Sequence, residues 1–330
     1  MSRLARPLLR LLAAAVLMAV ALWLVGPERL RGQWARIDRA WFVLAVAAMA
    51  LSQAVSVLRW QAIARIFGLR VRRAALALAY AQGMTLNVLL PGATLGGDTL
   101  RSLRLQRLGN PLDVSALTVL LDRLSGLWVL CVLSLFTGVV LRLAPGAPAL
   151  AAAPLAAAGL DPRELAWAYL LGLLLLCSAP WLPLPLAAAP DGARGAPLAA
   201  LARLWNRVAG LHALALAQRQ ALGRSLWSSL LVQLLCALTL WLCVLAAGGQ
   251  AAYWQVQAIA APVFVAGALP LSYGGFGARE LAALAAFPLV GLPADVGLAA
   301  SVLYGLVGIV LGLAAAPSFA FAAPPHVTGS

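Results

Sequence analysis

Six apolar runs, at 8–25, 40–58, 114–140, 165–186, 225–247 and 296–321, are each long enough to cross a bilayer as a helix, because a hydrocarbon core of roughly 30 Å needs about 20 helical residues. Inside hydrocarbon no water serves backbone N–H and C=O groups, so the chain is restricted to helices or a closed barrel. Runs this long, without alternation of apolar and polar positions, select helices. With 63% hydrophobic and 10% charged residues and a mean hydropathy of +0.94, the composition lies outside that of soluble domains. The fold class expected is an all-α polytopic integral membrane protein. The first run follows Arg3, Arg6 and Arg10 as a signal peptide would, yet no small-residue cleavage site ends it, so it reads as a retained span.

Two shorter runs, 74–90 and 258–271, lead into segments that echo each other. They are Pro91-Gly92-Ala93-Thr94-Leu95-Gly96-Gly97-Asp98-Thr99-Leu100-Arg101 and Pro270-Leu271-Ser272-Tyr273-Gly274-Gly275-Phe276-Gly277-Ala278-Arg279-Glu280. Each has a proline, a Gly-Gly pair and an arginine four residues beyond the second glycine. Matched interruptions in two halves of a membrane chain are the sequence mark of a transporter site built from inverted repeats.

Charge gives the topology. The 24 basic residues are all arginine, and the net charge is +14; in a membrane chain anionic lipid headgroups, rather than nucleic acid, are the near partner. Segment 59–73 has five arginines and no acid, and 187–224 has five arginines against Asp191, whereas 142–164 is balanced and 248–255 uncharged. Cytoplasmic loops collect arginine, so the first two are assigned inside and the last two outside. Parity then turns 74–110 into a re-entrant helix, a Gly-rich turn and a return helix bearing Arg101, Arg104 and Arg107. The second half repeats the layout in opposite orientation. The expectation is six full spans and two opposed re-entrant elements forming an inverted repeat in one transmembrane domain. Its parts are 1–141, the first repeat; 142–196, an external loop and the fifth span; 197–224, an amphipathic helix on the cytoplasmic leaflet; and 225–330, the rest of the second repeat. Segment 26–39, assigned outside, carries four arginines against Glu28 and Asp38 and fits only as an interfacial helix.

Asp122 and Arg123 fall in the middle of the third run. A charge at that depth costs about 2.5 to 3.5 kcal/mol and faces a partner or a wet cavity. Neighbours on a helix point about 100° apart, so each needs a partner on another segment, and Arg101, Arg104, Asp98, Arg279 and Glu280 are the charges on offer. A buried ion-pair network that locks the bundle and an anion-binding cavity both fit. In the motifs, Asp98 or Thr99 is placed to cap the helix carrying Arg101, which aims backbone N–H groups at an anion beside a guanidinium. Arginine takes phosphate bidentately. The candidate headgroup-binding residues are therefore Arg101, Arg279, Asp98, Glu280, Asp122, Arg123, Gly96, Gly97, Gly274, Gly275 and Asn87. Glycines that only allow close helix packing are the plainer reading of either motif alone. Gln82, Thr85 and Asn87 line a path or bond across helices. The two histidines, His212 and His326, cannot build a metal cluster. No cofactor, nucleotide loop or catalytic motif is legible, and four separated cysteines read as apolar filling.

The strings from Asn87 to Gly92, Gly96 to Arg101, Leu121-Asp122-Arg123-Leu124-Ser125-Gly126 and Gly274 to Glu280 resemble the lysylphosphatidylglycerol synthase transmembrane family, the flippase-like domain of the bacterial multiple peptide resistance factor and its stand-alone relatives. The resemblance implies a multi-pass protein of the bacterial inner membrane that moves an anionic phospholipid or lipid-linked headgroup between leaflets. The sequence ends at Ser330 without the soluble aminoacyl-transferase domain, so a membrane role without lysylphosphatidylglycerol synthesis is expected, and no enzyme activity. Arg101 and Arg279 would hold lipid phosphate at two opposed sites. Movement would be downhill or coupled to protonation of Asp122 or Glu280. Membrane lipids are the expected partners, and a homodimer or a separately encoded lipid enzyme is compatible. A lipid-modifying enzyme and a scaffold for such a synthase are the rival readings.

Overall fold

The computed structural model describes residues 37–69, 71–89, 95–143, 162–178, 206, 210, 213, 217–269 and 275–321. They form nine α helices: α1 Arg39–Ile66, α2 Arg73–Leu89, α3 Leu95–Arg107, α4 Leu112–Leu143, α5 Pro162–Ser178, α6 Arg219–Ala246, α7 Tyr253–Ala268, α8 Ala278–Ala286 and α9 Ala294–Ala314, with 3₁₀ turns at Phe287–Val290 and Ala316–Ala320. Among the described residues four helical segments are long and apolar enough to cross a membrane, namely Arg39–Ile66, Leu112–Leu141, Gln220–Ala246 and Ala294–Ala320. They coincide with four of the six runs. The run 8–25, the segment 90–94 with its Pro91 and Gly92, and the segment 270–274 with its Gly274 lie outside the described residues, as does most of 197–216.

Two boundaries differ from the sequence expectation. Segment 59–73 is not all loop. The Asp38 carboxylate caps α1 by accepting the Ala40 N–H at 2.8 Å, and nothing breaks the helix until Gly68, whose φ of 71° ends it as helix C-termini favour. Arg59 ended the apolar run but not the helix. Likewise α6 starts at Arg219, so 219–224 belongs to that helix rather than to the amphipathic stretch.

Helices α1 and α6 pack along their lengths and run antiparallel. Asp38 N–H donates to the Ala246 carbonyl at 3.0 Å at one end, and Gln218 Nε2 donates to the Ile66 carbonyl at 2.9 Å at the other. Around this pair the contacts repeat. α2 packs on α3 as α7 packs on α8, α3 on α4 as α8 on α9, and α4 on α7 as α9 on α2.

Apolar burial does not drive helices together in lipid, so small residues and interhelical hydrogen bonds must do so. At the α4–α7 crossing the Ser134 hydroxyl donates to the Gln257 carbonyl at 2.9 Å and accepts the Ala261 N–H at 3.0 Å, completing one rung of α7 next to Pro262. At the matching α2–α9 crossing Thr85 Oγ1 donates to the Gly312 carbonyl at 2.9 Å, and Gln82 Nε2 donates to the Ser318 carbonyl, in the 3₁₀ turn after α9, at 3.0 Å. These two polar residues bond across helices. Outward faces are apolar instead of polar: Leu44, Leu51 and Leu58 stand exposed seven residues apart on α1, and Leu120, Leu124 and Leu127 on α4.

Candidate functional site

Asp122 is fully buried on α4 and sits between two guanidinium groups from other helices. Its Oδ1 accepts Arg59 Nε of α1 at 2.8 Å, and its Oδ2 accepts Arg101 Nη2 of α3 at 2.8 Å. Arg123, one residue on, turns away to Asp98 of α3, which accepts its Nη2 at 2.8 Å and its Nε at 3.0 Å. Arg101 Nη1 reaches the same Asp98 at 3.4 Å. The result is a continuous chain of Arg59, Asp122, Arg101, Asp98 and Arg123 across three helices. The Arg101 guanidinium also lies 4.1 Å from the Trp60 ring centroid and 4.5 Å from that of Tyr80, where the ring quadrupole favours a cation.

The second motif builds its cluster locally. Gly277 precedes α8, and its N–H donates to Glu280 Oε2. Arg279 Nη2 donates to Glu280 Oε1 at 2.9 Å, Ser301 of α9 donates to the same oxygen at 2.9 Å, and Arg279 Nε donates to Ser301 Oγ at 3.1 Å. Phe276 and Tyr304 flank the guanidinium with centroids at 5.1 and 5.4 Å.

Glycines create the room. A Cβ on Gly97 would collide with the Gly83 carbonyl, and one on Gly275 would lie 2.9 Å from the Gly267 carbonyl oxygen. Each arginine then packs on the glycine of the preceding helix: a Cβ on Gly83 would be 3.2 Å from Arg101 Cγ, and one on Gly267 3.3 Å from Arg279 Cβ. Close packing and site construction are here the same feature.

The capping expectation fails in the first motif. α3 already begins at Leu95, so Gly96, Gly97 and Asp98 lie inside its first turn. Thr99 Oγ1 donates back to the Leu95 carbonyl at 2.8 Å, Asp98 is committed to arginines, and the Gly97 N–H donates to Asn87 Oδ1 at 3.0 Å. Asn87 therefore helps close this helix start. The Gly277 N–H of the second motif is likewise engaged by Glu280, so positive charge at this site comes from guanidinium groups.

The two motifs do not line separate sites. Arg101, Arg123 and Arg279 line one cavity of about 260 Å³ between α1, α2, α3, α4, α7, α8 and α9, together with Asn87, Tyr80 and Tyr304, and among the described residues no carboxylate lines it. Asp98, Asp122 and Glu280 stand behind the arginines as their partners. Gly96 is not part of the lining. Across the two clusters four guanidinium groups, counting Arg59, face three carboxylates, which leaves one positive charge in excess. Sequence reasoning missed Arg59, placed in a loop, and Ser301, Gly83, Gly267 and Tyr304. Arg59 was within reach, since no helix breaker separates it from the first span; a serine or tyrosine in an apolar run carries no such signal.

No curated protein matches the chain. The family model for the lysylphosphatidylglycerol synthase TM region matches residues 8–316, a span that contains both motifs and every helix lining the cavity. On that match the chain belongs to the lysylphosphatidylglycerol synthase TM region family, a multi-pass membrane protein whose two halves meet at an arginine-lined cavity.

Proposed function

We propose that this protein is a flippase-like transporter of the bacterial inner membrane, which takes the phosphate of an anionic phospholipid or lipid-linked headgroup into the shared cavity and passes it between leaflets. The observation that carries the reading is the convergence of Arg101 and Arg279, one from each half, on a cavity lined also by Arg123 and, among the described residues, by no carboxylate. Four arginines against three acids leave a single charge for an anion to neutralise, which suits the one charge of a phosphodiester. A volume of about 260 Å³ is at the small end for ligand pockets, so it admits a headgroup while acyl chains stay in hydrocarbon.

The antiparallel α1 and α6 and the repeated contact pattern support an inverted repeat. In this reading α2–α3 and α7–α8 are re-entrant elements entering from opposite faces. The spans are α1, α4, α6 and α9, with the runs 8–25 and 165–186 as the remaining two. Rocking one half on the other would expose the shared arginines to each leaflet in turn, as alternating access requires. Arg101 would exchange part of its contact with Asp98, at 3.4 Å the longest pair in the network, for a phosphate oxygen.

The test is leaflet exchange of a labelled anionic phospholipid in vesicles reconstituted with the full chain. Arg279→Leu is expected to abolish exchange while the protein remains helical and monodisperse in detergent; wild-type exchange in that variant removes the cavity from the mechanism. Native mass spectrometry of wild type against an Arg101→Ala/Arg279→Ala double variant identifies the lipid, which should be one class of which the former retains more copies per protein than the latter.

A further inference from the structure

A second cavity, of about 570 Å³, opens where α1 ends and α2 and α6 begin. Its lining includes Arg65 from the last turn of α1, Arg73 from the first residue of α2 and Arg224 from the first turns of α6, and among the described residues no carboxylate. Arg73 is held in place by donating its Nε to Gln61 Oε1 at 2.7 Å. Arg65 and Arg224 are exposed, and neither guanidinium is paired with another described side chain. Three like charges around one cavity repel unless an anion is shared between them.

The rest of the lining indicates what kind of anion. Trp227, 73% exposed, and Leu58, 48% exposed, border the same cavity. A free inorganic anion gains nothing from such apolar surface, whereas a phospholipid presents a phosphate and acyl chains together, and tryptophan favours that headgroup depth. The arginine distribution assigns this end of the bundle to the cytoplasm, where the leaflet carries anionic lipids and basic pockets between helices bind their headgroups.

We propose that Arg65, Arg73 and Arg224 form a second anion site that holds the phosphodiester of a resident anionic phospholipid, its chains lying along Trp227 and Leu58. The site shares no lining residue with the central cavity, so it stands whether or not that cavity transports lipid. A lipid seated there bridges three helix ends, including the junction where Gln218 donates to the Ile66 carbonyl.

The experiment titrates the purified full chain with phosphatidylglycerol, with phosphatidylcholine and with inorganic phosphate, reading bound lipid by native mass spectrometry. Wild type should bind phosphatidylglycerol selectively. In the Arg101→Ala/Arg279→Ala background, where the central cavity has lost its cations, phosphatidylglycerol should still bind at this site, and adding Arg65→Gln/Arg224→Gln should weaken that remaining binding by roughly thirtyfold, at a little over fivefold for each arginine removed. Equal phosphatidylglycerol binding in that background with and without Arg65→Gln/Arg224→Gln overturns the proposal. Full competition by millimolar inorganic phosphate also overturns it, in favour of a soluble-anion site. Far-UV circular dichroism checks the variant fold, and Arg224→Gln as the one addition to that background, expected to show roughly a fivefold loss, serves if the variant carrying both does not fold.

Discussion

The two motif arginines occupy one cavity but are held in opposite ways. Arg101 takes its main carboxylate from Asp122, 2.8 Å away on another helix, and shares it with Arg59 from a third. Arg279 takes its carboxylate from the next residue, Glu280, with Ser301 closing the triangle. The first cluster exists only while α1, α3 and α4 keep their packing, whereas the second is assembled on the start of α8 and needs only one hydroxyl from α9. Buried ion pairs are costly to desolvate and add little net stability when intact, but losing one partner leaves an uncompensated charge. The first half of the molecule therefore carries the more fragile and more movable cluster, and the second half the preassembled one.

Substitutions test that contrast. Asp122→Ala leaves buried Arg59 without its carboxylate and Arg101 with only the 3.4 Å contact to Asp98, and should cost about 3 to 5 kcal/mol, seen as loss of folded protein or a sharply lower detergent unfolding temperature. Glu280→Gln strands only Arg279, which borders the cavity, and should cost about half as much by the same reasoning. Equal losses from the two would break the comparison. Gly97→Ala must push α3 off the Gly83 carbonyl, and Gly275→Ala combines a φ of 83° with contact to the Gly267 carbonyl. Each should lower stability by about 1 to 3 kcal/mol, and lipid exchange should fall in both, because each glycine lets its motif approach the helix on which the motif arginine packs.

Smaller effects sharpen the picture. Ser301→Ala removes two hydrogen bonds from the second cluster and should cost about 1 to 2 kcal/mol in thermal unfolding, leaving Arg279 paired with Glu280 and lipid retention present. Arg123 is 39% exposed in its side chain, so Arg123→Gln should change stability by about 1 kcal/mol or less. Its effect belongs in anion retention, since it takes one of three cations from the cavity wall. A large fall in stability with unchanged retention would make Arg123 structural only.

Much of this could be read in advance, for identifiable reasons. Hydrocarbon length decided the spans, so the runs at 40–58, 114–140, 225–247 and 296–321 became α1, α4, α6 and α9 with only their ends displaced. The depth of Asp122 and Arg123 required partners on other segments, and two of the charges named in advance, Arg101 and Asp98, supply them. Arg59 escaped because a hydropathy run stops at a charge while a helix stops only at a breaker such as Gly68. The start of α3 escaped because Gly-Gly reads as a turn, whereas Gly97 is helical and packed on Gly83.

The sequence by itself determined that the chain is helical and membrane-bound, that its halves carry matched Gly-Gly-arginine motifs, and that charges lie where a bilayer forbids isolation. These follow from composition and spacing acting through backbone hydrogen bonding and charge solvation, which are local rules. Only the tertiary structure decided that Asp122 serves Arg59 as well as Arg101, that Arg279 turns to its own neighbour, and that both motifs face a single cavity. Those outcomes depend on which helices lie side by side, and spacing along a chain does not contain that information.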